Sequence, residues 1–117
     1  MKKIVMTAAV LLSMTAAFAG NEDAKKIHEA YNMQVNYYRL GTALNLDDVQ
    51  REKVEYIHDM FCNDMRRVSY TSADKRQDKF DKAVKKDLRY MRSVLDNEQY
   101  RTYVKLLNAT LANRGLL

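Results

Sequence analysis

Two histidines and a single cysteine are the side chains of this chain best suited to metal binding or nucleophilic chemistry. His58 and Cys62 are four residues apart, which places both on one face of a helix, and Asp59 lies between them. A closed zinc site needs four ligands, and only His28 remains to supply another imidazole. His58 and Cys62 are therefore candidate metal ligands, with two unrelated side chains on one helix face as the simpler interpretation.

Enzymatic catalysis is not expected from these residues. A thiol nucleophile at Cys62 with His58 as its base is the arrangement to consider, but the sequence supplies no orienting group or oxyanion site beside them. A glycine-rich phosphate loop is also missing from the sequence. We therefore predict a non-enzymatic protein that needs no cofactor.

The first nineteen residues have the pattern of a secretory signal peptide. Two lysines precede an uncharged and mostly apolar run from 4 to 16, and Ala17-Phe18-Ala19 has the small-x-small pattern of a cleavage site. This run is shorter than the roughly 20 apolar residues that a spanning helix needs, and an uncleaved membrane anchor is the alternative. We predict export with cleavage after Ala19, a single helical domain from 20 to 117, and no membrane insertion after cleavage.

The predicted export affects how the single cysteine and the positive net charge are interpreted. A single cysteine cannot form an internal disulfide, so Cys62 is either a buried free thiol or part of an intermolecular disulfide between two chains. The formal net charge of +5 would ordinarily favour a nucleic-acid partner. Because an exported protein leaves the compartment that holds nucleic acid, we predict no nucleic-acid partner.

Lysine and arginine are dense between 66 and 92. They form either a solvated helix face or a surface that attracts acidic segments of other envelope proteins. The candidate protein-binding residues are Arg66, Arg67, Lys75, Lys79, Lys82, Lys86 and Arg89, of which all but the first two share one face at helical spacing.

The elements that must position these side chains are helices. The chain has no proline, and its three glycines fall at segment edges. Hydrophobic periodicity predicts about four helices: one from about 21 to 40 with Gly41 as its C-terminal cap, one from 47 to about 70, one after a turn at 71–74, and one from 96 to about 113. The stripe predicted for the first helix is Ile27, Tyr31, Val35 and Tyr38. The sequence leaves open whether the third and fourth helices are continuous.

Eight tyrosines are too many for the core of so small a domain. Most are expected to pack in the core or at a dimer interface. Others are expected to line a surface for a protein partner, because tyrosine combines apolar area with a polar hydroxyl.

The pattern Leu-Asp-x-x-Gln occurs twice, and each copy stands at the start of a predicted helix. Each aspartate is predicted to cap its helix by accepting a hydrogen bond from the amide three residues on, and each glutamine to reach back to the amide of the aspartate. One such cap contributes about 1 kcal/mol. The preceding leucine can pack on the residue five positions on, which is Tyr100 in the second copy and Arg51 in the first. The motif residues are Leu46, Asp47, Gln50, Leu95, Asp96 and Gln99.

This chain resembles the Spy and CpxP family of periplasmic proteins, which carry paired Leu-Thr-x-x-Gln motifs. Leu46, Gln50, Leu95 and Gln99 match the motif, and both aspartates stand where the family usually has threonine, a replacement that keeps the cap. The resemblance extends to the layout of a signal peptide, a helix, a long helical hairpin and a final helix.

The resemblance implies a thin, all-α, antiparallel and cradle-like homodimer in the periplasm. Such a protein holds unfolded or misfolded envelope proteins without ATP, or damps an envelope-stress sensor. Related proteins bind or sense metal, so a periplasmic metal-binding protein of the same layout is one alternative. A small exported interaction protein with another partner is the other.

Overall fold

The computed structural model describes residues 23–117, and this part of the chain consists of α-helices joined by short loops, without β-strands. The five helices are α1 (Asp23–Ala30), α2 (Tyr37–Leu44), α3 (Asp48–Ser69), α4 (Ala73–Val94) and α5 (Asn97–Asn113). The predicted all-α fold class is confirmed. The predicted signal peptide and the first residues of the first predicted helix lie outside the described residues.

The first predicted helix is in fact two helices, so the described chain has five helices instead of four. The Asn32 side chain accepts a hydrogen bond from the Gln34 amide at 3.0 Å, and the Asn36 side chain caps α2 by accepting from the Arg39 amide at 3.0 Å. These local bonds compete with helical ones and stop α1 from continuing. Beyond the break the predicted apolar stripe fails, because Val35 and Tyr38 are exposed.

Gly41 does not cap a helix, which corrects the prediction. It is buried inside α2, where a Cβ atom would lie 3.4 Å from the guanidinium carbon of Arg51. The helix ends three residues later at Leu44, and its C-cap residue Asn45 adopts the left-handed conformation at φ 54°. The amides of Asn45 and Leu46 bond back to the carbonyls of Thr42 and Gly41 at 3.1 and 2.9 Å. Asparagine tolerates this conformation and completes a Schellman motif.

Helices α3 and α4 form an antiparallel hairpin with a short turn at Tyr70–Ser72. An ion pair between Asp64 and Lys86 at 3.1 Å links the two helices. The most deeply buried side chains belong to the hairpin and to α5: Val54, Phe61, Met65, Met91 and Leu111. The hairpin is therefore the scaffold on which the other helices pack.

Helices α4 and α5 are separate. Leu95 and Asp96 both have extended backbone angles, so the chain turns between them and α5 packs back onto the hairpin through Tyr103, Leu107 and Leu111. The described chain measures 45 × 29 × 18 Å, which is a thin slab. None of its described helices is long and apolar enough to span a membrane.

Candidate functional site

Both copies of the Leu-Asp-x-x-Gln motif form capping boxes. Asp47 accepts from the Gln50 amide at 2.7 Å, and the Gln50 side-chain oxygen accepts from the Asp47 amide at 3.1 Å. In the second copy the matching distances between Asp96 and Gln99 are 2.7 and 2.9 Å. Leu46 and Leu95, which precede the caps, are both buried in the core. The motif residues therefore begin α3 and α5 and anchor both helix starts.

The structure brings the two motifs together through their glutamines. Gln50 Nε2 donates to Gln99 Oε1 at 2.8 Å and to the Val94 carbonyl at 3.1 Å. Gln99 Nε2 donates to Gln50 Oε1 at 3.1 Å and to the Asn45 carbonyl at 3.1 Å. We call this arrangement of two side chains and two carbonyls the glutamine clasp. It joins the ends of α2 and α4 to the starts of α3 and α5.

The glutamine clasp uses every hydrogen-bonding position of both amides. Each Nε2 donates two bonds, and each Oε1 accepts one bond from its own aspartate amide and one from the other glutamine. Glutamate would close the capping box equally well but has no N–H to donate, which explains why both motifs carry glutamine. The presence of glutamine in both motifs was a sequence signal for this additional role, because a capping box by itself tolerates glutamine or glutamate.

One face of the α3–α4 hairpin has a shallow depression towards each of its ends, and the end near the turn is basic. This end has a volume of about 400 Å³, and its floor is formed by Val68 and Ala83. Four cations and one carboxylate border it: Arg67, Lys79, Lys82, Lys86 and Asp64. Asp64 pairs with Arg67 at 3.0 Å and with Lys86 at 3.1 Å, so positive charge remains in excess.

The depression at the other end is apolar and lies near the glutamine clasp. It also has a volume of about 400 Å³ and is bordered by Tyr56, Ile57, Val94 and the stems of Glu52 and Lys53. Tyr56 is 68% exposed although it is aromatic. On α3, residues 53, 56 and 57 precede 64, 67 and 68 by eleven positions, and on α4 the same interval separates 83 from 94. Eleven residues are three helical turns, so both ends share one face, about 16 Å apart. We call this face, with its two depressions, the α3–α4 crease.

The structure brings together only part of the predicted basic set. Arg67, Lys79, Lys82 and Lys86 border the basic end of the crease, whereas Lys75 and Arg89 do not line it. Arg89 instead lies 5.5 Å from the centre of the Tyr90 ring. Arg66 lines a separate small cavity beside Cys62.

The two histidines considered as metal ligands form hydrogen bonds within the protein instead. His58 is buried, and its Nε2 atom lies 2.6 Å from the Met33 carbonyl, which identifies that nitrogen as the donor. Burial lowers the pKa of His58. His28 bonds instead to Ser69 Oγ at 2.8 Å, and Ser69 is eleven residues, or about 16 Å, beyond His58 on α3. Among the described residues, no three histidine, cysteine or acidic side chains cluster as metal ligands would.

Cys62 is a half-buried free thiol in the described chain. Burial, and then the charges of Asp59 and Asp87, raise the pKa of Cys62 to about 11. The thiolate is the reactive form of cysteine. This environment therefore slows disulfide formation and alkylation at neutral pH.

A buried carboxylic acid in α4 is the feature that sequence reasoning missed. Asp87 is 2% exposed, accepts a hydrogen bond from the Tyr103 hydroxyl through Oδ2, and has no partner for Oδ1. Burial, and secondarily the charge of Asp64, raise the pKa of Asp87 to about 7. Helical spacing gave a signal, because Asp87 stands between Val84 and Met91 on the apolar face of α4.

Comparison of the chain with protein-family models, with curated proteins and with solved structures gives no match.

Proposed function

We propose that this protein is an exported, ATP-independent holding chaperone or envelope-stress factor. Its clients are unfolded or misfolded proteins of the periplasm, as the resemblance to the Spy and CpxP family implies. The observation that carries the proposal is the α3–α4 crease, an open surface with exposed apolar side chains at one end and excess positive charge at the other.

The chemistry of the crease suits a binder with many clients. Tyr56 offers apolar area together with a hydroxyl, which permits contact with varied side chains. Lys79 and Lys82 are exposed and have long, flexible stems, so they adapt to acidic groups in different positions. A shallow surface of this kind favours tolerance over shape selection, as binding to unfolded chains requires.

An aggregation assay tests the proposal. The mature protein should suppress aggregation of chemically denatured clients at near-equimolar ratio without ATP. A Tyr56→Ser, Lys82→Glu double variant should lose most of this activity. Tyr38→Ser, Lys75→Glu is the matched control, because both residues are exposed and neither lines the crease. Full suppression by both double variants would remove the crease from the mechanism, and no suppression by the wild-type protein would refute the chaperone proposal.

We also propose that the functional form is an antiparallel homodimer. A thin slab of 45 × 29 × 18 Å has little core volume for its surface, and pairing would bury more apolar area. Sedimentation equilibrium should give twice the mass of the mature chain. Since burial raises the pKa of Cys62 to about 11, the dimer should be non-covalent and migrate as a single chain on a non-reducing denaturing gel.

Export is the remaining part of the proposal. Expression of the full chain in a Gram-negative host should place the protein in the periplasmic fraction, with an intact mass that begins at Gly20. Retention of 1–19 on a membrane-bound product would instead support the anchor alternative.

A further inference from the structure

We infer that the α3–α4 crease selects client segments in which an apolar cluster and an acidic cluster are separated along the chain. This inference rests on the proposed function and specifies the class of segment that the site takes. Its basis is the division of the crease into an apolar end and a basic end on one face.

The apolar end provides one half of the selection. Tyr56, Ile57 and Val94 border it, and Val49 lies seven residues before Tyr56 on the same face of α3. Val49 and Tyr56 are 62% and 68% exposed. A client side chain such as leucine or phenylalanine would remove this apolar surface from water, which favours binding in proportion to the area covered.

The basic end provides the other half. Three lysines and Arg67 border it, whereas Asp64 is the only acid among its bordering residues. Asp64 is shared between Arg67 and Lys86, and Lys82 pairs with Asp78 at 3.2 Å on the exposed surface. The exposed Lys82–Asp78 pair contributes little and exchanges readily. An acidic client cluster therefore gains attraction here, and a basic cluster is repelled.

The distance between the ends sets the spacing within the client. Equivalent residues of the two ends are eleven positions apart on α3, or about 16 Å. An extended segment covers this distance in about five residues at 3.3 Å per residue. The occupant is thus a segment whose apolar and acidic clusters are centred about five residues apart.

Four synthetic peptides test the inference by fluorescence anisotropy with the full mature protein. One carries three apolar residues, two serine or glycine residues and three aspartates, so that the cluster centres lie about five residues apart. The others have the same composition with apolar and acidic residues interspersed, the same clusters without the spacer, and lysines in place of the aspartates. The spaced acidic peptide should bind at least about tenfold more tightly than each of the others, and its affinity should fall with salt.

Single-residue variants of the protein test which end of the crease binds each cluster of the peptide. Tyr56→Ser should weaken the spaced peptide but leave a peptide without the apolar cluster unaffected. Lys82→Glu should weaken the spaced peptide but leave a peptide without aspartates unaffected. Tyr38→Ser and Lys75→Glu should change neither affinity. Unfolding curves for each variant separate loss of binding from loss of structure.

The outcomes separate this inference from the proposed function. Equal binding of the spaced and interspersed peptides would overturn the inference, even if the protein suppresses aggregation. Equal loss of affinity in the crease variants and their controls would overturn it as well. Loss of client holding with retained peptide discrimination would refute the chaperone proposal alone.

Discussion

At the scale of single residues, Asp87 is the side chain whose surroundings most disturb its chemistry. It lies in the core with one oxygen bonded to the Tyr103 hydroxyl and the other without a partner. A buried carboxylate is costly because burial removes water from the charge. The neutral acid is the form that this site accommodates, and the pKa of about 7 follows from that preference.

Replacement of Asp87 by asparagine should stabilise the protein at alkaline pH. The folded pKa of Asp87 is raised from 3.8 to about 7, so its contribution to stability is complete below pH 4 and is lost as pH rises to 7. By pH 8 the ionised group costs on the order of 4 kcal/mol. Asp87→Asn keeps an acceptor for Tyr103 and should gain much of that energy at pH 8 but little at pH 4.5.

Urea unfolding at several pH values checks this prediction. The buried His58, whose pKa is lowered, destabilises the fold as pH falls below about 6.5. It acts equally in both proteins, so the difference between the two pH profiles isolates Asp87. Parallel profiles from pH 4.5 to 8 would show that Asp87 does not titrate in this range.

At the scale of elements, the glutamine clasp and Arg114 fix how the helices meet. The clasp joins four helix ends through two side chains. Arg114 follows α5 and donates through Nη1 to the carbonyls of Glu29, Ala30 and Asn32 at the end of α1. Gly115, at φ 76°, completes a Schellman motif in which the Leu116 amide bonds to the Leu111 carbonyl at 2.8 Å.

Conversion of both clasp glutamines to glutamate should destabilise the fold in a pH-dependent manner. Gln50→Glu, Gln99→Glu retains the acceptors of both capping boxes but removes every Nε2 donor and places two carboxylates in contact. The loss at pH 7 should be several kcal/mol and greater than the sum of the single variants, because like charges that share one site disfavour ionisation. Much of it should be recovered at pH 4, where a protonated carboxyl group can donate. Asn108→Asp, on the exposed surface of α5, is the charge control, and loss equal to that of this control would contradict the clasp.

Removal of the Arg114 side chain should loosen α1 before the rest of the fold. The last carbonyls of a helix lack internal partners and carry partial negative charge, which the guanidinium satisfies. Arg114→Ala should cost about 1.5–3 kcal/mol if all three bonds are lost. Hydrogen exchange should accelerate first in 24–33, with α3 unchanged. Arg101→Ala, an exposed arginine of α5, should have no such effect, and uniform acceleration across both helices would contradict this role.

At the scale of the whole molecule, local chemistry could be predicted from the sequence, whereas long-range pairing could not. Each capping box depends on residues three positions apart, so the starts of α3 and α5 followed from the motif. The clasp joins residues 49 positions apart, and no periodicity encodes that meeting. The break after α1 was missed because apolar residues continue at helical spacing through Val35 and Tyr38, while Asn32 and Asn36 redirect the backbone.

The α3–α4 crease likewise combines a part that could be predicted from the sequence with a part that could not. Lys79, Lys82 and Lys86 share a helix face by spacing alone, and they border one groove. The apolar end of the α3–α4 crease needs Val94 from α4 beside Tyr56 from α3. Their proximity depends on the antiparallel pairing of the hairpin and could not be read from either helix alone.

The glutamine clasp also makes the chain divisible into two complementary fragments. Residues 23–71 contain Gln50 and the Asn45 carbonyl, and 72–117 contain Gln99 and the Val94 carbonyl, so each fragment holds half of every bond between the glutamines. The peptide bond between Thr71 and Ser72 lies in the turn at the far end of the hairpin, away from the clasp. Fragments separated there and expressed together should therefore reassemble without a covalent link. The hydrogen bonds between the two motifs would make the fragments specific for each other.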